Sequence, residues 1–375
     1  MADSQHDGIE QLIEGRITRR DLLLALAAAG AAALPATLFA QRGAARDTVP
    51  LVPPFAPTGW RTVWLDHLSY RCVDYEKAAA FYVALMGWKV RSNDGKQAVL
   101  DIGDDSGSVV FRGGLATPAP AALTDEGLGP TRAPVRARYD GFAWGIEPWD
   151  TAKVKAELEK RGLSPIADHV GRDYRSFHVK DPDGFDLRIS NASKSLRHPS
   201  MGAARLNAAQ PFEPTHWKTR FVDHLSFEVA DYRRSAAFYN ALLGWQVRPG
   251  AGGGDDWPDS PRSLTMRIGK VAGAIVRANA AANSAAADSA GRGGRGSRQS
   301  APGGVTATIG HISFGIEPWD TERVRQELIK RDVVYTIGGK RAPRDDMAGA
   351  LSSFHVPDAM GWDLQISNRV HPSSP

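Results

Sequence analysis

The sequence predicts an α+β fold in which a β-α-β-β-β unit occurs four times, paired into two halves. Three observations carry that prediction. The chain repeats itself: Asp66-His67-Leu68-Ser69 returns as Asp223-His224-Leu225-Ser226, and Gly145-Ile146-Glu147-Pro148-Trp149-Asp150-Thr151 returns as Gly315-Ile316-Glu317-Pro318-Trp319-Asp320-Thr321. Ser176-Phe177-His178-Val179 likewise returns as Ser353-Phe354-His355-Val356. The distance between matching motifs changes only in the loops, so the repeats are whole folding units. Within each unit, periodicity passes from two to about 3.6 and back in the same order.

The elements follow one another in that order. Leu65 to Tyr70 alternates like a half-buried strand. Asp74 is a good N-cap for a helix through Ala78, Phe81, Tyr82 and Leu85, which Gly87 closes. Strands are expected near Trp88–Arg91, Ala98–Ile102 and Ser108–Phe111. In the second unit, Phe142–Glu147 is a strand, Asp150 caps a helix with Val154 and Leu158 on one face, and Gly162 ends it. Strands follow near Ile166–Val170, Arg175–Val179 and Phe185–Ser190. The third unit has a strand over Phe221–Val229, a helix from Asp231 to Leu243, and strands near Trp245–Arg248, Leu264–Ile268 and Gly273–Arg277. The fourth runs from His311 to Asn368. Each half is expected to bury its own sheet faces, giving two separate cores.

Length and composition fit this division. A chain of 375 residues, 42% hydrophobic and 23% charged, accommodates two globular domains. The formal charge of +4 calls for no nucleic-acid surface. An Arg/Gly tract, Gly291 to Arg298, carries no interleaved aromatic residue and reads as solvated linker. The single cysteine, Cys72, excludes an internal disulfide and falls in a strand as a buried, inert thiol. Residues 1–40 read as an export signal: Arg19-Arg20 precedes a Leu/Ala run too short to span a membrane, with a cleavage point after Ala40. The pattern resembles a twin-arginine signal, which implies a periplasmic or secreted protein exported in the folded state, with no stable membrane span after cleavage. Residues 41–61 are a tether, 62–194 the first domain, 195–215 a linker open to proteolysis, and 216–370 the second domain with a flexible insert at 278–308.

The Asp-His-Leu-Ser strand, the Phe-Tyr…Gly-Trp helix and Phe177-His178-Val179-Lys180-Asp181-Pro182-Asp183-Gly184 before a last strand resemble the vicinal oxygen chelate superfamily. That superfamily includes glyoxalases, extradiol dioxygenases and bleomycin-type resistance proteins. The resemblance covers residues 62 to 370 and implies two glyoxalase-like domains, each a half-open cup. It places metal ligands on first strands and a last strand, which here gives His224, His311 and Gln365. The equivalent residues of the first half are His67, Gly141 and Arg188, a set unable to ligate a cation. Strand alternation supports the assignment: His224, Ser226 and Glu228 share a face, as do Asp363, Gln365 and Ser367. Gln365 stands where the dioxygenases carry a carboxylate, which leaves more charge on the ion; Asp363 or Glu228 could supply the balance. His355 is the candidate proton-transfer residue, as a neutral imidazole.

The resemblance thus implies a divalent metal (Fe, Mn, Zn or Ni) acting as a Lewis acid on a small oxygen-rich substrate. Dioxygenase and glyoxalase-type lyase or isomerase both fit, and the alternative is a cup that sequesters a small molecule without turnover. Each histidine also has a structural reading as a hydrogen-bonded core residue, since His67 and His178 repeat the same contexts in the ligand-poor half. The Glu-Pro-Trp-Asp segments read as strand-to-helix corners. Arg188 neutralises the first cup or binds an acid.

Overall fold

Why the same motif builds the same element four times is visible in a computed structural model of the chain, which describes residues 50–115, 137–168, 170–199, 201–248, 263–279, 307–348 and 350–369. The export signal, the Arg/Gly tract and most of the 278–308 insert lie outside these residues. No helix among the described residues is long and apolar enough to cross a membrane.

The first half comprises β1 (Arg61–Cys72), α1 (Tyr75–Met86), β2 (Lys89–Asn93), β3 (Gln97–Asp101), β4 (Ser108–Arg112), β5 (Ala137–Glu147), α2 (Thr151–Lys160), β6 (Ile166–Asp168), β7 (Ser176–Lys180) and β8 (Asp186–Ser190). The second comprises β9 (Lys218–Val229), α3 (Tyr232–Leu243), β10 (Gln246–Val247), β11 (Ser263–Ile268), β12 (Ala272–Ala278), β13 (Thr308–Glu317), α4 (Thr321–Lys330), β14 (Tyr335–Ile337), β15 (Lys340–Ala342), β16 (Arg344–Ala348), β17 (Leu351–Pro357) and β18 (Asp363–Ser367). Two eight-stranded sheets result, ordered β2-β3-β4-β1-β5-β8-β7-β6 and β10-β11-β12-β9-β13-β18-β17-β16, while β14 and β15 pair as a separate two-stranded sheet. The α+β class and its four units are as the sequence predicts. The strand starting at Ala137 opens five residues before the sequence suggests, because Ala137, Arg138 and Tyr139 pair with Cys72, Arg71 and Tyr70.

Helix ends follow the capping residues. Asp74, Asp150, Asp231 and Asp320 are extended and accept hydrogen bonds from backbone amides of the first turn. Gly87 and Gly244 close α1 and α3 in the left-handed conformation. The Glu-Pro-Trp-Asp corners carry cis Glu147–Pro148 and Glu317–Pro318 peptides.

The expectation of two separate cores is corrected by the packing. One hydrophobic cluster runs through both halves, from Trp60 and Leu65 to Leu364 and Ile366. Unit one packs on unit four, with Trp88 against Phe314 at 5.1 Å, and unit two on unit three, with Trp144 against Trp245 at 5.3 Å. The contacts are reciprocal. Trp88 donates to Thr219 (2.9 Å) and Trp245 to Thr62 (3.0 Å), while Tyr82 donates to Asp358 (2.8 Å) and Tyr239 to Asp181 (2.5 Å). The apolar sheet faces, which the sequence shows but cannot pair, therefore meet across the halves. Residues 195–215 are also tied down: His198 N donates to Asp66 (3.0 Å), Ala203 N to Asn93 O (3.0 Å) and Thr215 N to Ala84 O (2.9 Å). Cys72 is buried against Met360, and burial pushes its thiol up.

Candidate functional site

With one sheet face committed to the shared core, the polar residues of the central strands collect on the other face. In the second half, register places Arg267, Gly273, His224, Ser313, Gln365, His355 and Arg344 in one row across the sheet. Thr265, Ile275, Ser226, His311 and Asp363 form the next row. The predicted ligands therefore share one cup floor, where His224, His311 and Gln365 are all buried.

The two histidine side chains meet. His224 Nε2 lies 3.0 Å from His311 Nε2. Asp223 accepts from His224 Nδ1 at 2.8 Å, which fixes the proton on Nδ1 and leaves Nε2 as a lone pair aimed at its neighbour. Burial would raise the Asp223 pKa, but the His224 bond and charge, with Arg369 and Arg248, together hold it below the usual carboxylate range. Burial, reinforced by His355 and His224, drives the His311 pKa well down, so its imidazole is neutral. Gln365 donates its amide to Ser353 Oγ (2.9 Å) and Asp346 (3.1 Å). Those bonds orient the amide and leave Oε1 buried without a hydrogen-bond partner, as are the hydroxyls of Ser226 and Ser313. Two imidazole nitrogens and an orphaned amide oxygen on one buried floor fit a divalent cation.

His355 differs from expectation. Its Nδ1 lies 2.8 Å from Asp363 and its Nε2 3.8 Å from Asp346. Burial would lower its pKa, but the two carboxylates outweigh burial and raise it, so the cation rather than the neutral ring is favoured. Asp363 also accepts from Arg344 (3.2 Å) and Tyr335 (2.9 Å). His311, His355 and Asp363 bring ligand atoms within 4.8 Å of one another, a second grouping able to hold a metal. The first half supplies a control: His178 bonds Asp186 at 2.8 Å, while Arg188, at the position of Gln365, bonds His178 (3.1 Å) and Asp168 (3.2 Å). The His–Asp pair is thus maintained beside a fixed cation, and needs no metal to exist. In that half, Asp66 also fixes His67 (3.0 Å), burial holds the His67 pKa down at about 4, and Gly141 offers no side chain. His198 and Tyr174 pack over the His67 cup, with ring centres 5.3 Å and 5.0 Å from His67 and His198 respectively.

Sequence reasoning missed Asp346, Arg344 and the orienting role of Asp223. The first two lie on β16, whose Arg-Asp-Asp-Met-Ala sequence has no apolar alternation to mark a strand. The third was legible as the Asp-His pair kept in both repeats.

Two sheets of paired βαβββ units, each with a polar cup, define a tandem glyoxalase-like fold. Residues 64–189, in the first half, match the family model described as Glyoxalase/Bleomycin resistance protein/Dioxygenase superfamily. No curated protein matches the chain in sequence. Among solved structures, the Mn(II)-bound glyoxalase from Novosphingobium aromaticivorans is similar over 82% of this chain and 82% of that chain, at 15% identity and a TM-score of 0.51. A variant of homoprotocatechuate 2,3-dioxygenase from B. fuscum is similar over 87% of this chain and 76% of its own, at 15% identity and a TM-score of 0.51. The 2,3-dioxygenase LapB from Pseudomonas sp. KL28 is similar over 82% and 92%, at 14% identity and a TM-score of 0.50. At such identities the likeness is one of fold.

Proposed function

We propose that the C-terminal cup binds one divalent cation (Mn, Fe, Zn or Ni) through His224, His311 and Gln365, and that the protein is an exported enzyme acting on a small molecule with vicinal oxygens. The observation that carries this is the 3.0 Å approach of His224 Nε2 to His311 Nε2 on a buried floor that also carries the unpartnered Gln365 Oε1 in the row of His224. The His355–Asp363 pair is the adjoining layer rather than part of the ligand set, because its counterpart His178–Asp186 recurs beside Arg188.

When bound, the cation would supply Lewis acidity toward the substrate oxygens. The chain's own residues do the rest. Asp223 holds the His224 tautomer, and Ser353 and Asp346 hold the amide of Gln365. His355, cationic between Asp363 and Asp346, holds a proton at Nε2 that it can deliver to a substrate oxygen and recover as general acid and base. The neutral ligand set favours polarisation of a substrate carbonyl or hydroxyl over oxygen activation, and so a lyase or isomerase over a ring-cleaving dioxygenase.

Elemental analysis of protein purified without added metal, followed by calorimetric titration of Mn(II), Fe(II) and Zn(II), tests the centre. His311→Ala should lose binding and His67→Ala should keep it. Binding that survives in both, or is absent from the parent, removes the metalloenzyme reading and leaves a sequestering cup of the resistance-protein type. Oxygen consumption with catechol would overturn the lyase or isomerase assignment.

A further inference from the structure

Beside His224 the sheet opens into a cleft lined by Arg248, Arg267 and Arg369, with Asp223 its one carboxylate. Asp223 already accepts from His224 Nδ1 and stands 3.8 Å from Arg369. Among the described residues, the guanidinium groups of Arg248 and Arg267 have no ion pair.

The first half shows what this corner looks like when closed. Gly87-Trp88-Lys89-Val90-Arg91 aligns with Gly244-Trp245-Gln246-Val247-Arg248, so Arg91 is the counterpart of Arg248. Leu68 pairs with Val109 on β4, and Ser108 pairs with Asp101 on β3. In the second half His224 pairs with Gly273, and Gly273 with Arg267. Asp101 is therefore the counterpart of Arg267 and Ser108 of Gly273. Asp101 neutralises its corner: it accepts from Arg91 Nε at 3.0 Å and from Arg197 at 3.2 Å. The second half carries arginine at that register position, so among the described residues one change of sign leaves Arg248 and Arg267 facing the cleft without the carboxylate that joins the first corner.

Geometry directs this charge at the cup. Arg267 and His224 lie two strands apart, about 10 Å between backbones, and only Gly273 stands between them. A Cβ at Gly273 would come within 3.3 Å of His224 Cβ and 3.1 Å of Asp223 O, so the floor between them is bare. A guanidinium presents a planar fork of donors that matches carboxylate and phosphate oxygens.

We propose that this cleft is an oxyanion subsite, in which Arg248 and Arg267 hold a carboxylate or phosphate group of the substrate whose vicinal oxygens reach the His224–His311 centre. The second clause rests on the function proposed above; the anion site itself does not. The test uses the full chain stripped of metal with a chelator and titrated with benzoate and with phenyl phosphate. The parent should bind at least one of them at least tenfold more tightly than either Arg267→Asp, which rebuilds the closed corner of the first half, or Arg248→Gln. Preference for benzoate assigns a carboxylate, and preference for phenyl phosphate assigns a phosphate. Equal affinity of parent and both variants for both anions, or no binding to the parent, overturns the subsite. Mn(II) titrated into the same samples reports on the metal separately: loss of that binding with anion binding intact sinks the centre and sustains the subsite.

Discussion

Replacing Asp358 by Asn should make stability less dependent on pH. Asp358 is buried in the turn between β17 and β18, where it accepts from Met360 N and Trp362 N, each at 2.8 Å, and from Tyr82 of the other half at 2.8 Å. Burial lifts its pKa from 3.8 to about 6, against the lowering effect of Tyr82 and the backbone donors. Its counterpart Asp181 is lifted to about 6 as well, again by burial first. A native pKa above the unfolded value means that the fold holds the proton more tightly. The group's contribution is complete below the unfolded pKa and is lost as pH rises through the native one. At full ionisation the cost is about 3 kcal/mol for a shift of roughly two pKa units, of which about 2 kcal/mol accumulates between about pH 4.5 and about pH 8. Asn keeps an acceptor for the two amides and offers a donor to the Tyr82 oxygen, but does not titrate. Urea unfolding followed at several pH values should show the parent losing about 2 kcal/mol more than Asp358→Asn across that range. Parallel pH profiles for the two proteins would refute the argument that a buried carboxylate at the junction of the halves ionises at a cost.

Two further outcomes follow from the proposed activity and address. Gln365→Glu should tighten Mn(II) binding at least several-fold by calorimetry, since a carboxylate adds attraction that the amide lacks; unchanged or weaker binding would place Gln365 outside the ligand set. Replacing Arg19 and Arg20 by Lys should leave precursor in the cytoplasm, read by fractionation and blotting; unchanged processing in a strain without the twin-arginine translocase would assign export to the general secretory route.

The fold was legible because each local signal agreed with the repeat. Asp74, Asp150, Asp231 and Asp320 start helices where the motifs say they should, and Gly87 and Gly244 stop them. Within each strand, parity also grouped His224 with Ser226 and Gln365 with Asp363 and Ser367, because alternation fixes faces without any knowledge of neighbours; the register then sets those faces side by side. What parity does not fix is what covers each face. His67 and Ser69 share the polar side of their strand by parity, yet both are buried. His198, from the segment that reads as an open linker, packs over His67, with its backbone amide bonded to Asp66. The shared core was hidden for a related reason. An apolar sheet face identifies itself in the sequence, but its partner, here the sheet of the other half, does not. Charge partners were the least visible, since Asp346 and Arg344 sit on a strand without apolar alternation.

The difference between the cups is cooperative, and this bears on whether the first could be made to bind a metal. Gly141 and Arg188 replace His311 and Gln365, so the double variant Gly141→His with Arg188→Gln writes the second half's ligands into the first. Gly141 has φ +150, and a Cβ there would lie 2.5 Å from the Asp186 carbonyl oxygen, a backbone atom fixed in the β5–β8 ladder. A side chain at that position meets both steric strain and a conformation that costs on the order of 1–3 kcal/mol for a non-glycine residue. Removing Arg188 also takes the cation from between His178 and Asp168, where its Nε bonds the ring and its NH2 bonds the carboxylate. The double variant should therefore unfold at lower denaturant than the parent, and in a His311→Ala background it should show no Mn(II) binding by calorimetry. Restored Mn(II) binding there would mean that ligand identity alone, rather than the backbone beneath it, decides which cup can hold a cation.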